Sequence, residues 1–230
     1  MNNFFATPEG GWGDGSVHLT TVGIAIVIAV IALLLIVAAI VRHKNATHKS
    51  ALTTKQLVYS AVAIALAVVC SMIKLFDMPM GGSVTLLSML FIVLIAYWYG
   101  PYVGIMTAVA YGLVQFVLEP IFYTIPQMLL DYPLAFGALG LSGLFSNAKN
   151  GLVKGYIVGV LGRYVMHMIS GLIFYTAYTG DFAGNAAAIW ASTLYNMSYI
   201  FPEAILTLIL LAIPAVRKGL DSVKRMAVGA

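Results

Sequence analysis

The chain has 230 residues, of which 61% are hydrophobic and 9% charged, with a mean hydropathy of +0.97. Soluble domains carry about 25% charged residues, so this composition excludes a water-soluble surface and describes an integral membrane protein with room for one compact helical bundle. The net charge of +4 does not mark a nucleic-acid binder, because the basic residues gather at the ends of apolar spans, and a single cysteine, Cys70, excludes an intramolecular disulfide or a thiolate metal cluster.

Residues 1–21 are glycine-rich and are expected as an extracellular segment. The run VGIAIVIAVIALLLIVAAIV, Val22 to Val41, matches the roughly 20 apolar residues that cross a bilayer core of about 30 Å. It is too long for an ordinary signal peptide and lacks a small-residue cleavage site. Residues 42–55 form a basic linker. Residues 56–216 then predict six more spans: Gln56 to Leu75, Val84 to Tyr99, Tyr102 to Leu118, Leu129 to Phe145, Val153 to Tyr178 and Ile189 to Val216. Gly100 and Pro101 mark a tight turn between two of them, and Pro126 and Pro133 are expected to unwind part of another. Residues 217–230 are expected as a basic cytoplasmic tail.

The positive-inside rule orients this path. Arg42, Lys44, Lys49, Lys55, Lys149, Lys154, Arg217, Lys218, Lys224 and Arg225 all fall on one side, the expected cytoplasm. The other side receives Glu9, Asp14, Asp77, Glu119, Asp131 and Asp181, with Lys74 as its only basic residue. The chain is therefore expected as a multi-pass cell-membrane protein with its N-terminus outside, its C-terminus inside, and Asp131 near the outer mouth.

Ionisable groups inside spans are costly and tend to be functional. Arg163 and Glu203 fall at similar depths, and the expected arrangement is a structural ion pair that locks their helices together. A proton or ion relay is the alternative, but no chain of further acids supports it. His167 shares a helix face with Arg163, four residues away. Read alone it is a hydrogen-bonded packing residue, since no second His or Cys sits at metal-ligand spacing. The outer half also collects Tyr123, Tyr132, Tyr175, Tyr178, Trp190, Tyr195 and Tyr199, some of which belong to an interfacial aromatic belt. Asn196 places an amide inside an apolar helix. With Asp131 and His167, these groups suit a small, flat, cationic ligand. Asp131 has a second reading, as N-cap of a helix beginning at Tyr132. No nucleotide-binding glycine loop is present, so a pump built on this chain would depend on a separate ATPase.

Four stretches carry a resemblance: GGSVTLLSML (81–90), LLDYPLAFGALGLSGLF (129–145), GRYVMHMISGLIFY (162–175) and LYNMSYIFPE (194–203). In this order they resemble the thiamin-specific substrate-binding subunit, or S component, of energy-coupling factor transporters, over about residues 55 to 220. The resemblance implies an all-α integral membrane protein: a six-helix S-component bundle, here with one extra N-terminal transmembrane helix. It implies thiamin as ligand, a transmembrane coupling subunit and two cytoplasmic ATPases as partners, no cofactor or metal of its own, and no enzymatic activity. The family's acidic residue falls on Asp131 with Tyr132 beside it, its histidine on His167, the following aromatic on Tyr175 and its late asparagine on Asn196. Tyr195, Tyr123 and Trp190 are further candidates for the binding site. The alanine-rich docking helix falls on YSAVAIALAVV, with Ala61 and Ala65 four apart. Two departures accompany the match: the extra span, and MGGS where the family carries a binding Trp in its first outer loop. An S component for another vitamin or a thiamin precursor, and a self-sufficient secondary carrier, are the alternatives. An intramembrane enzyme finds no nucleophile–base pair in the sequence.

Overall fold

The computed structural model describes residues 6–8, 17–19, 21, 25, 52–78, 81–121, 123–179 and 185–229, without the side chains of residues 173–188. Apart from Ala25, the expected span Val22 to Val41 lies outside the described residues, as does its basic linker up to position 51; Thr54 and Lys55, expected as linker, already belong to the first bundle helix. A short antiparallel pair, β1 (Ala6–Pro8) and β2 (Val17–Leu19), is all that is described of residues 1–21 beyond single positions.

The bundle starts with α1 (Thr54–Met72). Thr53 opens it with a capping box: its hydroxyl accepts the Gln56 N–H at 3.2 Å, and the Gln56 side chain accepts the Thr53 N–H at 3.0 Å. The predicted span ran on to Leu75, but Lys74–Asp77 is a strand, β3, paired antiparallel with β4 (Ser83–Thr85). Gly81, at φ +89°, sits in the turn between the two strands, where a residue with Cβ would be strained. The second predicted span, Val84 to Tyr99, therefore begins as a strand and becomes helical only at α2 (Ser88–Tyr99).

Helix α2 is short because it is wrapped by protein. Eight of its residues, Ser88 to Ala96 apart from Phe91, are buried, as expected for a helix that is apolar on every side. Its N-terminus is preceded by Leu87 in the left-handed region (φ 61°), which offers no side-chain cap. The cap comes from another helix. The buried carboxylate of Glu203 accepts the Thr85 hydroxyl at 2.7 Å, the Ser88 hydroxyl at 2.9 Å and the Met89 N–H at 3.0 Å. An anion at a helix N-terminus meets orphan donors and the positive end of the helix dipole. The Arg163–Glu203 ion pair expected from the sequence is thus not formed among the described residues: Glu203 is satisfied by the α2 N-terminus, and Arg163 is engaged elsewhere.

The remaining helices follow in up-and-down order. Gly100 and Pro101 make the tight turn into α3 (Pro101–Leu118). The helical run α4 (Ile125–Phe145) starts four residues before its predicted boundary, because Thr124 caps it and Pro126 occupies its first turn. Within α4 the turns widen to π geometry over Leu130–Leu134, around Pro133, and tighten to 3-10 geometry over Ala138–Phe145. Proline removes one backbone donor, which explains the local unwinding predicted for it. Helix α5 (Gly151–Thr179) and helix α6 (Asn185–Ala212) close the bundle. Among the described residues five helices are long and apolar enough to cross a membrane, and α2 is a sixth, shorter one. Large apolar side chains stay exposed on their outer faces, Val117 at 77% and Ile125 at 64%. A hydrocarbon solvent accepts such a surface and water does not.

The last predicted span ended at Val216, with a basic tail beyond. Instead Pro214 starts a separate helix, α7 (Pro214–Val228). One face of α7, carrying Leu220 and Ala227, turns to the bundle. The Tyr99 hydroxyl donates to the Ala227 carbonyl at 3.0 Å, and the Lys224 ammonium lies 4.1 Å from the Tyr97 ring centroid.

Candidate functional site

A cavity of about 440 Å³ opens at the end of the bundle opposite the α4–α5 connection and α7. Every element from α1 to α6 contributes to its wall. The hairpin β3–β4 and the loop after α3 form its rim. The volume suits a ligand the size of a small cofactor.

The wall is organised around Asp131. Its burial is nearly complete, and it sits on the π turn of α4 rather than at a helix start. The capping role considered for it is therefore excluded: Thr124 caps this helix, with its hydroxyl accepting the Gln127 N–H at 3.2 Å. Gly112 lets α3 approach this turn, since a Cβ there would lie 2.6 Å from the Tyr132 carbonyl oxygen. Asp131 Oδ2 accepts from Gln127 Nε2 at 2.7 Å, and Oδ1 is 3.2 Å from His167 Nδ1.

The direction of that second bond follows from the neighbour on the other side. Arg163 Nε lies 3.3 Å from His167 Nε2, and a guanidinium can only donate. Nε2 therefore carries the lone pair and Nδ1 carries the proton, which His167 donates to Asp131. Arg163, His167 and Asp131 form a one-way hydrogen-bond chain across the cavity wall through a neutral imidazole. The guanidinium also stacks over Phe136, 4.3 Å from its centroid. The imidazole thus stands between the Arg163 guanidinium and the Asp131 carboxylate.

Aromatic rings line the space beside it. His167 meets Tyr199 edge-on at 6.2 Å and Phe136 at 6.5 Å, and Tyr195 meets Tyr199 at 5.5 Å. Asn196 is buried. Its Oδ1 accepts the Tyr199 hydroxyl at 2.7 Å and its Nδ2 donates to the Ser192 carbonyl at 2.8 Å. Tyr195 accepts the Gly82 N–H at 2.8 Å and so ties α6 to the hairpin. A Cβ on Gly82 would lie 2.8 Å from that hydroxyl, which is why the bare backbone is needed there. Tyr132 uses its hydroxyl fully: it accepts the Ile121 N–H at 2.9 Å and donates to the Glu119 carbonyl at 2.7 Å. At the rim Lys74 bridges Glu119 at 2.7 Å and Asp77 at 3.4 Å. Above all, the hydrogen bond that the Lys74 ammonium donates to the Glu119 carboxylate holds its pKa above the usual range.

The structure thus brings Asp131, Tyr132, His167, Tyr195 and Asn196 to one cavity. Trp190 is not among them: it is 65% exposed and lines no part of the cavity. At about 100° per residue, Ser192, Tyr195, Asn196 and Tyr199 share one face of α6, and position 190 falls on the opposite one. Tyr123 also lies off the cavity, exposed beside the Thr124 cap, with its N–H on the Gln127 side chain. The side chain of Tyr175 lies outside the described residues. Ala61 and Ala65 are exposed on α1, away from the cavity. Gln127 and Phe136 went unread in the sequence, and Lys74 and Glu119 were read only as outer-side charges, not as rim residues of the cavity. For Gln127 a signal existed, an amide four residues before Asp131 on the same helix face.

The profile of the family described as Thiamine transporter protein (Thia_YuaJ) matches residues 57–220. A Bacillus subtilis protein named thiamine transporter ThiT is 34% identical over 171 residues, which is 68% of this chain and 85% of that protein. A second thiamine transporter ThiT, from Lacticaseibacillus paracasei, is 29% identical over 133 residues, 51% of this chain and 62% of that one. A solved structure of ThiT from Listeria monocytogenes superposes with a TM-score of 0.55 at 24% identity, covering 70% of this chain and 96% of the other. That likeness shows the shared fold.

Proposed function

This chain belongs to the thiamine transporter protein family, and on that footing we propose that it is the high-affinity thiamin-binding subunit of an energy-coupling factor importer. The observation that carries the reading is the buried Asp131 in a cavity lined with aromatic rings, its oxygens held by Gln127 and His167. Thiamin carries a permanent thiazolium charge and an aminopyrimidine ring. The carboxylate answers the cation, the rings of Tyr195, Tyr199 and Phe136 offer π faces, and the amide of Asn196 offers a polar edge. Tyr132 serves by holding the rim loop, and the family resemblance assigns Tyr175 a role in binding. Transport energy comes from a transmembrane coupling subunit and two cytoplasmic ATPases.

The coupling subunit docks on α1. Ser60, Ala63 and Ala67 face the bundle, which leaves Ala61 and Ala65 on the outer side among Val58, Val62 and Leu66. Small residues allow close helix approach inside a membrane. Ala61→Trp or Ala65→Trp is expected to leave thiamin binding by the purified chain intact and to abolish thiamin uptake by cells that supply the coupling module. Uptake that survives both changes moves the docking face elsewhere, and uptake by this chain without any ATPase makes it a secondary carrier.

Thiamin enters from outside, with the cavity at the outer end of the bundle. A cysteine at Asn3 in a Cys70→Ser background is expected to react with an impermeant thiol reagent in intact cells, and one at Asn147 only after lysis. Asn147 is preferred to Asn150, whose φ of 55° disfavours most replacements. Labelling of position 147 in intact cells contradicts this orientation.

A further inference from the structure

Gln127 is completely buried in the cavity wall, one helical turn before Asp131. Its side chain is engaged at both ends. Nε2 donates to Asp131 Oδ2 at 2.7 Å and to the Ile121 carbonyl at 3.2 Å, and Oε1 accepts the Tyr123 N–H at 3.1 Å. A neutral amide can donate a hydrogen bond to a carboxylate and accept one from the backbone at the same time. Lysine or arginine in its place would also reach the carboxylate but would fill the cavity's electrostatic demand from within.

The geometry points to Gln127 as a positioning residue that sets the charge selectivity of the site. It fixes Oδ2 while His167 holds Oδ1, so the carboxylate keeps one orientation. It stabilises the ionised form by hydrogen bonding without adding a counter-charge. The same amide anchors the loop that carries Ile121, so the position of the carboxylate and the closure of the rim are set together. This inference rests on the reading that the ligand carries a positive charge.

The test compares thiamin with its 3-deaza analogue, a near-isostere whose central ring is uncharged. Binding of both is measured by calorimetry on purified wild-type protein, Gln127→Met and Gln127→Asn, with thermal unfolding as the folding check. Methionine keeps the length and loses the donor. Asparagine keeps the amide but falls one methylene short of Asp131, and it replaces the methionine variant if that one does not fold. Thiamin affinity is expected to fall about tenfold while affinity for the neutral analogue changes less than about threefold. Equal losses for both compounds reduce Gln127 to a structural residue and overturn the inference, as does no loss for either. A wild type that binds both compounds equally well also overturns it. A folded wild type that binds neither overturns the thiamin reading itself, which separates the two failures.

Discussion

Replacing Glu203 with alanine is expected to cost roughly 3–5 kcal/mol of stability, because it strands several buried donors at about 1–3 kcal/mol each. The Thr85 and Ser88 hydroxyls and the Met89 N–H all converge on this carboxylate in the protein interior. Its removal leaves the N-terminus of α2 uncapped and the helix dipole unopposed. Thermal unfolding in detergent should drop by on the order of 10 °C. Glu203→Gln keeps the shape and an acceptor and should cost only about 1–2 kcal/mol. The control is Arg163→Met. An Arg163–Glu203 pair would make the two losses comparable. Here Arg163 serves the cavity wall through His167 and Phe136, so its replacement should weaken ligand binding and leave α2 in place. Equal destabilisation by the two variants would restore the ion pair.

Asp131→Asn is expected to lower thiamin affinity by roughly ten- to a hundredfold, since a charge-assisted contact worth about 1.5–3 kcal/mol becomes a neutral one. Binding by calorimetry and unfolding temperature are read together. The variant should fold, because Thr124 and not Asp131 caps α4. Pyrithiamin, whose ring is also cationic, should lose a similar factor, and an uncharged analogue less. Unchanged thiamin affinity in a well-folded variant removes Asp131 from the site.

The sequence showed the membrane bundle because each long span is a continuous apolar run, and the family stretches pointed to Asp131, His167 and Asn196. Other features were hidden for physical reasons. The boundary at Val84 failed because Gly81 and Leu87 adopt positive φ, and a hydropathy pattern does not record backbone conformation. Glu203 was matched with Arg163 because depth matching considers only opposite charges, whereas its partners are hydroxyls and a backbone N–H on a distant segment. Trp190 was an aromatic beside the right residues in sequence, yet helical geometry turns it to the opposite face. Gln127 escaped because it precedes the predicted helix start at Leu129, where an amide reads as loop, whereas the helix begins at Ile125 and carries it into the wall.

Trp98 packs edge-on against Tyr59, and Trp190 faces outward, so neither indole reports directly on the cavity. The most direct measurement is therefore isothermal titration calorimetry of the detergent-purified chain, without coupling subunit or ATPases, against thiamin. The account predicts saturable binding of one thiamin per chain. A folded, monodisperse protein that shows no saturable thiamin binding would contradict it.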